Sequence, residues 1–339
     1  MRLLISLLTI TALTACQKPP TNTVSLDRSD YLVPSADGAQ LYVREIAPDQ
    51  RTYTEPMVLI HGGGAGATAS FDLPVPGGSL GGDLAKLGFQ VYLVNIRGWE
   101  RSTLPEYNLS NPSTVVGSVR EASRDIAAAV EWITDREEVE QVHLFGWATG
   151  GHWAAAYTTR YPGQVKTLTS LNSLYGVYAP WPLRSAFARA DDSTAFAKND
   201  FFRRTAREDL TNTWDNSIPA EEKASWRDPA VAEAYRRTAT SFGEDTNTLV
   251  VPAGYREESF NMSQGLSYWD ARDLTVPTLI IRSELDFWSR PEDLTALCSD
   301  LTRAPRKRCI TIPGTHYVFL DRPERGRNDL IKEILRFTQ

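Results

Sequence analysis

Apolar runs of four to seven residues recur along most of the chain, and each gives way to a loop of small or polar residues. Met57–Ile60 stops at His61-Gly62-Gly63-Gly64, and Phe89–Val94 at Asn95-Ile96-Arg97-Gly98-Trp99. Val165–Leu171, Thr278–Arg282 and Arg308–Ile312 read as further strands, with polar residues interspersed. Short continuous runs of this kind predict strands buried on both faces. Between them the spacing is helical. Leu80–Leu87 predicts a helix closed by Gly88. Val119–Trp132 places Val119, Ala122, Ile126, Ala129 and Val130 on one face, and residues 324–337 predict a closing helix. Near the start, Tyr31–Ala47 alternates apolar with polar around Asp37-Gly38, which predicts a β-hairpin. Strands that alternate with helices imply an α/β fold: a mostly parallel central sheet with helices on both faces.

The alternation stops between about Tyr175 and Tyr268. This stretch is rich in aromatic residues and arginine, with helical patches over 220–239. A structureless loop of such length does not suit a compact domain. It predicts a mainly helical cap over residues 174–268, inserted after the sixth strand, with 30–173 and 269–339 forming the core.

Composition alters this picture little. Of 339 residues, 42% are hydrophobic and 23% charged, the range of ordinary globular chains with material for a sizeable core. The net charge of -6 is spread without a basic stripe, which argues against nucleic acid as a partner. The N-terminus does alter it. Arg2, the apolar run Leu3–Ile10 and Leu13-Thr14-Ala15-Cys16 give a charged, an apolar and a small-residue region in turn, as in an export signal. The apolar run is too short to span a bilayer, which needs about 20 residues. Leu-Thr-Ala-Cys resembles a bacterial lipobox. That resemblance implies a signal peptide over 1–15, acylation at Cys16 and a tether over 16–29. With Gln17 next, it also implies an outer-membrane address in the cell envelope, with membrane contact through the lipid anchor only. Export makes a disulfide between Cys298 and Cys309 possible. The two flank a short basic loop between a predicted helix and a predicted strand.

The candidate chemistry centres on Gln141–Gly151, QVHLFGWATGG. It reads as a strand, a glycine-framed turn and the first turn of a helix. This is the strand–turn–helix context of a nucleophile elbow, yet Ala148 occupies the nucleophile position. The chain has four histidines, and a base belongs on a loop at the sheet's C-terminal edge. His316, just past the last predicted strand, fits that place. His61 opens the glycine loop, His143 lies in the elbow strand and His152 lies on the helix after it. The orienting carboxylate is expected from the loop after Thr278–Arg282. Asp286 is favoured there, and Glu284, nearer the strand end, is read as shaping the turn. Asn172, after the preceding strand, carries an amide in place of an acid. The backbone N–H groups of Thr149 and Gly63 are the expected oxyanion donors. No Lys-Ser/Thr follows the glycines, so a phosphate cradle is disfavoured.

With these residues in order, the chain from Met57 onward resembles the α/β-hydrolase superfamily, in particular its capped esterase and lactonase-like members. The carrying motifs are His61–Gly64, Asn95–Gly98, the Gly146–Gly150 elbow, Asp286 and His316 ahead of Phe319-Leu320-Asp321-Arg322-Pro323. The resemblance implies a serine-type hydrolase of small hydrophobic or aromatic esters or lactones, needing no cofactor or metal. Trp147, Trp181 and Trp288 are the expected substrate contacts, with Trp153 nearby. Ala148 leaves three readings open: a serine hydrolase whose serine was replaced, a natural ligand-binding lipoprotein that kept the pocket, or base-only chemistry by His316 and Asp286, as in a lyase or cofactor-free oxygenase. Thr149 does not substitute, because in an elbow it starts the helix. Ester cleavage by the chain as written is expected to be near nil.

Overall fold

The structure is a computed structural model that describes residues 24–105, 115–198 and 200–339. The signal segment, Cys16 and most of the tether lie outside the described residues. The chain begins with β1 (Leu26–Pro34) and β2 (Gln40–Pro48), an antiparallel hairpin turning at Gly38, whose φ is 89°. The expected tether boundary at 29 is therefore corrected: residues 26–29 pair in β1, and Arg28 forks onto Asp72 at 2.8 and 2.9 Å. This strand is largely exposed, so no apolar alternation announced its first half.

The alternating part follows the predicted rhythm: β3 (Met57–Ile60), α1 (Ala67–Phe71), α2 (Leu80–Lys86), β4 (Val91–Val94), α3 (Val119–Glu137), β5 (Val142–Trp147), α4 (Thr149–Arg160) and β6 (Val165–Leu171). After the cap come β9 (Thr278–Leu285), α9 (Pro291–Asp300), β10 (Lys307–Thr315) and α10 (Arg327–Thr338). Eight strands form one sheet in the order β1-β2-β4-β3-β5-β6-β9-β10. The pairings β1–β2 and β2–β4 are antiparallel, and the other five are parallel. Every residue of β3, β4 and β5 is buried, as expected of strands covered on both faces.

Two polar clusters fix the loops around this sheet. Arg97, after β4, donates to Asp125 of α3 through Nε at 2.9 Å and to Asp37 of the hairpin turn through Nη1 at 2.8 Å. Glu100 accepts from the Thr68 and Ala69 amides at the start of α1, at 2.8 and 3.2 Å. Cys298 of α9 and Cys309 of β10 are joined in a disulfide.

Between β6 and β9 the chain forms α5 (Arg184–Phe187), β7 (Phe202–Ala206), α6 (Asn212–Ser217), α7 (Pro229–Thr240), β8 (Thr248–Pro252) and α8 (Gly254–Ser263). The helices agree with the expectation. The antiparallel ribbon β7–β8 was not expected, because the partners lie some forty residues apart and no turn joins them locally. Arg290 anchors this segment. It donates to Asp293 at 2.7 Å and to the Ala179 and Val177 carbonyls at 2.8 and 3.0 Å. Trp214 adds a second anchor, its indole donating to Asp321 at 2.8 Å.

Candidate active site

The parallel strands deliver their loops to one edge of the sheet, and β3 and β5 lie side by side, where a crevice forms in open α/β sheets. Ala148 links β5 to α4 with φ 52° and ψ -117°, a conformation that an L-residue adopts only under local constraint. The constraint is visible. The Ala148 amide donates to the Leu171 carbonyl at 2.8 Å. A Cβ on Gly146 would lie 2.3 Å from the Gly150 carbonyl oxygen, and one on Gly150 would lie 2.3 Å from that of His61. Only glycine lets the elbow approach the neighbouring backbone this closely.

His316 follows β10 and Asp286 follows β9, and the fold brings them into contact. His316 Nδ1–H donates to Asp286 Oδ1 at 2.5 Å, and Nε2 makes no hydrogen bond among the described residues. Asp286 also accepts from the Trp288 and Ser289 amides at 3.0 and 2.8 Å, and from the Ser289 hydroxyl. These donors fix the carboxylate in place, with Oδ1 turned toward the imidazole. The His316 carbonyl is gripped from the elbow side: Trp147 Nε1 donates to it at 3.0 Å and Asn172 Nδ2 at 3.2 Å. Asn172 also exchanges hydrogen bonds with Ser283 at 2.7 and 3.0 Å, so its amide ties β6, β9 and the histidine loop together. Glu284 is exposed.

The other histidines have structural partners. His61 is fully buried between the Gly62 carbonyl, 2.6 Å from Nδ1, and the Ile96 amide, 3.1 Å from Nε2. Burial lowers its pKa to about 4, so it is neutral and fixes the glycine loop. His143 packs in β5 against Thr167, and burial lowers its pKa likewise to about 4. His152 accepts from the Trp269 indole at 2.8 Å.

Ala148 and His316 face a cavity of about 220 Å³. Gly62, Gly63 and Gly64 bound it on one side, with Trp147, Thr149, Phe287, Trp288 and Tyr317. The segment between β6 and β9 roofs it with Leu183, Phe187, Arg203, Thr213, Tyr255 and Arg256. Gly63 and Thr149, the expected oxyanion donors, both line it. A Cβ on Gly63 would lie 2.3 Å from the Tyr255 ring, so a cap tyrosine rests directly on the glycine loop. The Thr149 hydroxyl is buried and has no hydrogen-bond partner among the described residues, so no base is placed to take its proton.

One expected contact is corrected. Trp181 does not line the cavity. It stands behind Trp288, donating to the Trp288 carbonyl at 2.8 Å with the rings edge to face, because its indole N–H needs a buried acceptor. Trp153 is buried against His61 and Trp99 in the core. Sequence reasoning missed Arg203, Thr213, Tyr255, Arg256 and Tyr317. For the four cap residues the only signal was the arginine and aromatic richness of that segment, which does not say which side chains turn inward, while Tyr317 lies in the core directly after His316.

The sequence matches the family profile for the alpha/beta hydrolase fold over residues 55–323, most of the chain. The chain belongs to the α/β-hydrolase family. Among characterised relatives, a 2-hydroxy-6-oxononadienedioate/2-hydroxy-6-oxononatrienedioate hydrolase of Cupriavidus pinatubonensis is 32% identical over 133 residues. That match covers 38% of this α/β-hydrolase and 40% of the relative, and the Escherichia coli K12 enzyme of the same name is 28% identical over the same shares. The alignment thus spans well under half the length of these relatives. In three dimensions, a thermophilic esterase from Thermogutta terrifontis superposes with a TM-score of 0.58 at 16% identity, over 92% of this chain and all of that one. Naproxen esterase from Bacillus subtilis gives 0.56 at 17% identity, over 93% and 92% of the two chains. A meta-cleavage product hydrolase from Pseudomonas fluorescens IP01, crystallised as a serine-to-alanine mutant with acetates, gives 0.54 at 19% identity, over 91% and 96%. At these identities the superpositions speak to the fold alone.

Proposed function

We propose that this hydrolase is built for acyl transfer from a small carboxylic ester or lactone, and that Ala148 disables it. The observation that carries the reading is the His316–Asp286 pair facing the strained elbow residue across one cavity. With serine at 148, its Oγ would attack the carbonyl carbon and pass its proton to His316 Nε2. Asp286 would hold the imidazolium through Nδ1–H. The Gly63 and Thr149 amides would receive the oxyanion, collapse would expel the alcohol with the proton from His316, and water would release the acid by the reverse steps. Trp147, Phe287 and Trp288 give the cavity an apolar wall suited to the acyl or alcohol portion. Alanine at 148 removes the attacking atom and leaves every other part in place.

The test is hydrolysis of p-nitrophenyl butyrate by the chain and by Ala148→Ser. Cleavage only by the serine form supports a disabled hydrolase. Cleavage by neither, with the fold intact, would transfer the weight to a second reading. In that reading Ala148 is the natural residue, and the site either binds its ligand without turnover or uses His316 as a base alone. The completeness of the His316–Asp286 contact without a hydroxyl favours the latter form. Hydrolysis of 2-hydroxy-6-oxononadienedioate, the compound in the names of the Cupriavidus and Escherichia relatives, would be tested with the same two proteins.

We further propose export and lipid anchoring through Cys16. The Cys298–Cys309 disulfide supports an oxidising compartment. Metabolic labelling with a palmitate analogue, lost in Cys16→Ser, tests it.

A further inference from the structure

The apolar wall is only one side of the cavity. Arg203, from β7, and Arg256, from the first turn of α8, both line it. Most arginines of the chain are held by carboxylates, as Arg97 is by Asp125 and Asp37, and Arg290 by Asp293. These two form no ion pair among the described residues. The charged-group neighbours of Arg203 are phenols: its Nη1 donates to Tyr255 Oη at 2.9 Å, and Tyr317 and Tyr235 stand around it. Arg256 lies with its guanidinium 5.2 Å from the centre of the Phe187 ring, and its Nε is buried without a hydrogen-bond partner. Partly buried guanidinium groups that lack a counter-anion retain an uncompensated desolvation cost. Tyr255 reports the local field, because the two arginines draw its pKa below the usual phenol value even though burial opposes this.

We propose that Arg203 and Arg256 form an anion subsite of this cavity, and that the molecule the protein takes carries a carboxylate beyond the carbonyl presented to position 148. The proposal rests on the reading of this cavity as the substrate site and deepens it. The carboxylate supplies the counter-charge that the fold withholds. Its oxygens accept from guanidinium N–H groups, the geometry for which arginine is suited. The apolar wall of Phe187, Phe287 and Trp288 then receives the chain between carboxylate and carbonyl. A space of about 220 Å³ is smaller than a drug-sized pocket, which limits this molecule to a short acid. The subsite is made wholly by the cap, on elements distant in sequence, and the core supplies the reacting end.

The test compares monoethyl adipate with diethyl adipate, which share the ester and differ by one carboxylate. Binding to the chain is read by tryptophan fluorescence or calorimetry at low salt, since Trp147 and Trp288 line the cavity. The monoester is expected to bind about tenfold tighter or more, in line with a charge-assisted hydrogen bond. Arg203→Gln and Arg256→Gln should each bring the ratio of the two affinities toward one, and Arg203→Lys should keep part of it. The two glutamine variants sit on separate elements, so misfolding of one, seen by near-UV circular dichroism, leaves the other decisive. Equal affinities in the parent chain, or an unchanged ratio in a folded glutamine variant, would overturn the subsite. Ala148→Ser kinetics separate this from the hydrolase reading. Preference for the monoester with no turnover of either compound keeps the subsite and removes the hydrolase. Turnover of both at equal kcat/KM does the reverse.

Discussion

Ala148 shows how far one side chain governs this site. Its φ and ψ are held by the Gly146 and Gly150 contacts and by the Leu171 carbonyl, so serine, which adds only a hydroxyl, should fold equally well. In the Ala148→Ser protein, Asp286→Asn is expected to lower kcat for an ester by about four orders of magnitude and His316→Ala by about six. Steady-state assays check this. Ala148→Val should instead destabilise the chain by about 1–3 kcal/mol, because a β-branched side chain tolerates this backbone conformation poorly. Urea unfolding would measure it. The buried histidines set a pH response. His61 and His143 have pKa values lowered to about 4 from 6.5, so the stability they contribute is present above pH 6.5 and is lost as the pH falls through that window. Glu100 and Asp321, raised by burial to about 6, act in the opposite sense, with a contribution complete below their unfolded values of 4.5 and 3.8 and lost as the pH rises through 6. Replacing His143 with glutamine should therefore reduce the fall in Tm between pH 6.5 and 5.

At the scale of elements, the strand ends and the cap anchors carry the arrangement. Asp286 and His316 each directly follow one of two neighbouring parallel strands, so their contact depends on the β9–β10 register, in which Ile281 pairs with Ile310. The cap depends on Arg290. Both Arg290 and Asp293 are buried, with side chains 4% and 0% exposed, and the guanidinium reaches three carbonyls of the segment between β6 and β9. Arg290→Met leaves Asp293 charged, buried and unpaired, and should cost about 3–5 kcal/mol. Limited proteolysis should then cut the chain first between residues 174 and 268. The unsubstituted chain under the same conditions is the control.

For the molecule as a whole, cap and core have complementary chemistry. The core contributes the elbow, the glycine loop, Asp286 and His316, while the cap contributes the apolar roof and two arginines that form no ion pair among the described residues. Salt should weaken capture of an acidic ligand far less than it weakens a surface ion pair, because the arginines are partly buried. A titration at rising ionic strength checks this. The disulfide closes a short loop at the sheet's edge. Its reduction should cost about 3 kcal/mol and lower Tm without altering the cavity, which lies at other strand ends.

The sequence by itself determined the parallel core and the elbow, because buried strands and glycine-framed turns are local patterns. Runs such as Met57–Ile60 have one stable use, and Gly146 and Gly150 have one reason to bracket position 148. It also determined Asp286 and His316 as candidates, since each follows a legible strand. Only the tertiary structure decided the rest. The ribbon β7–β8 pairs residues far apart in the chain, and strand-edge hydrogen bonds leave no local signature. Trp147 and Trp181 were equivalent as residues, yet one lines the cavity and the other supports Trp288, because each indole N–H found a different buried acceptor. Arg203 and Arg256 read as two among many arginines. Their meaning comes from their place in the cavity lining without an ion pair among the described residues, a property of three-dimensional neighbours that no stretch of sequence contains.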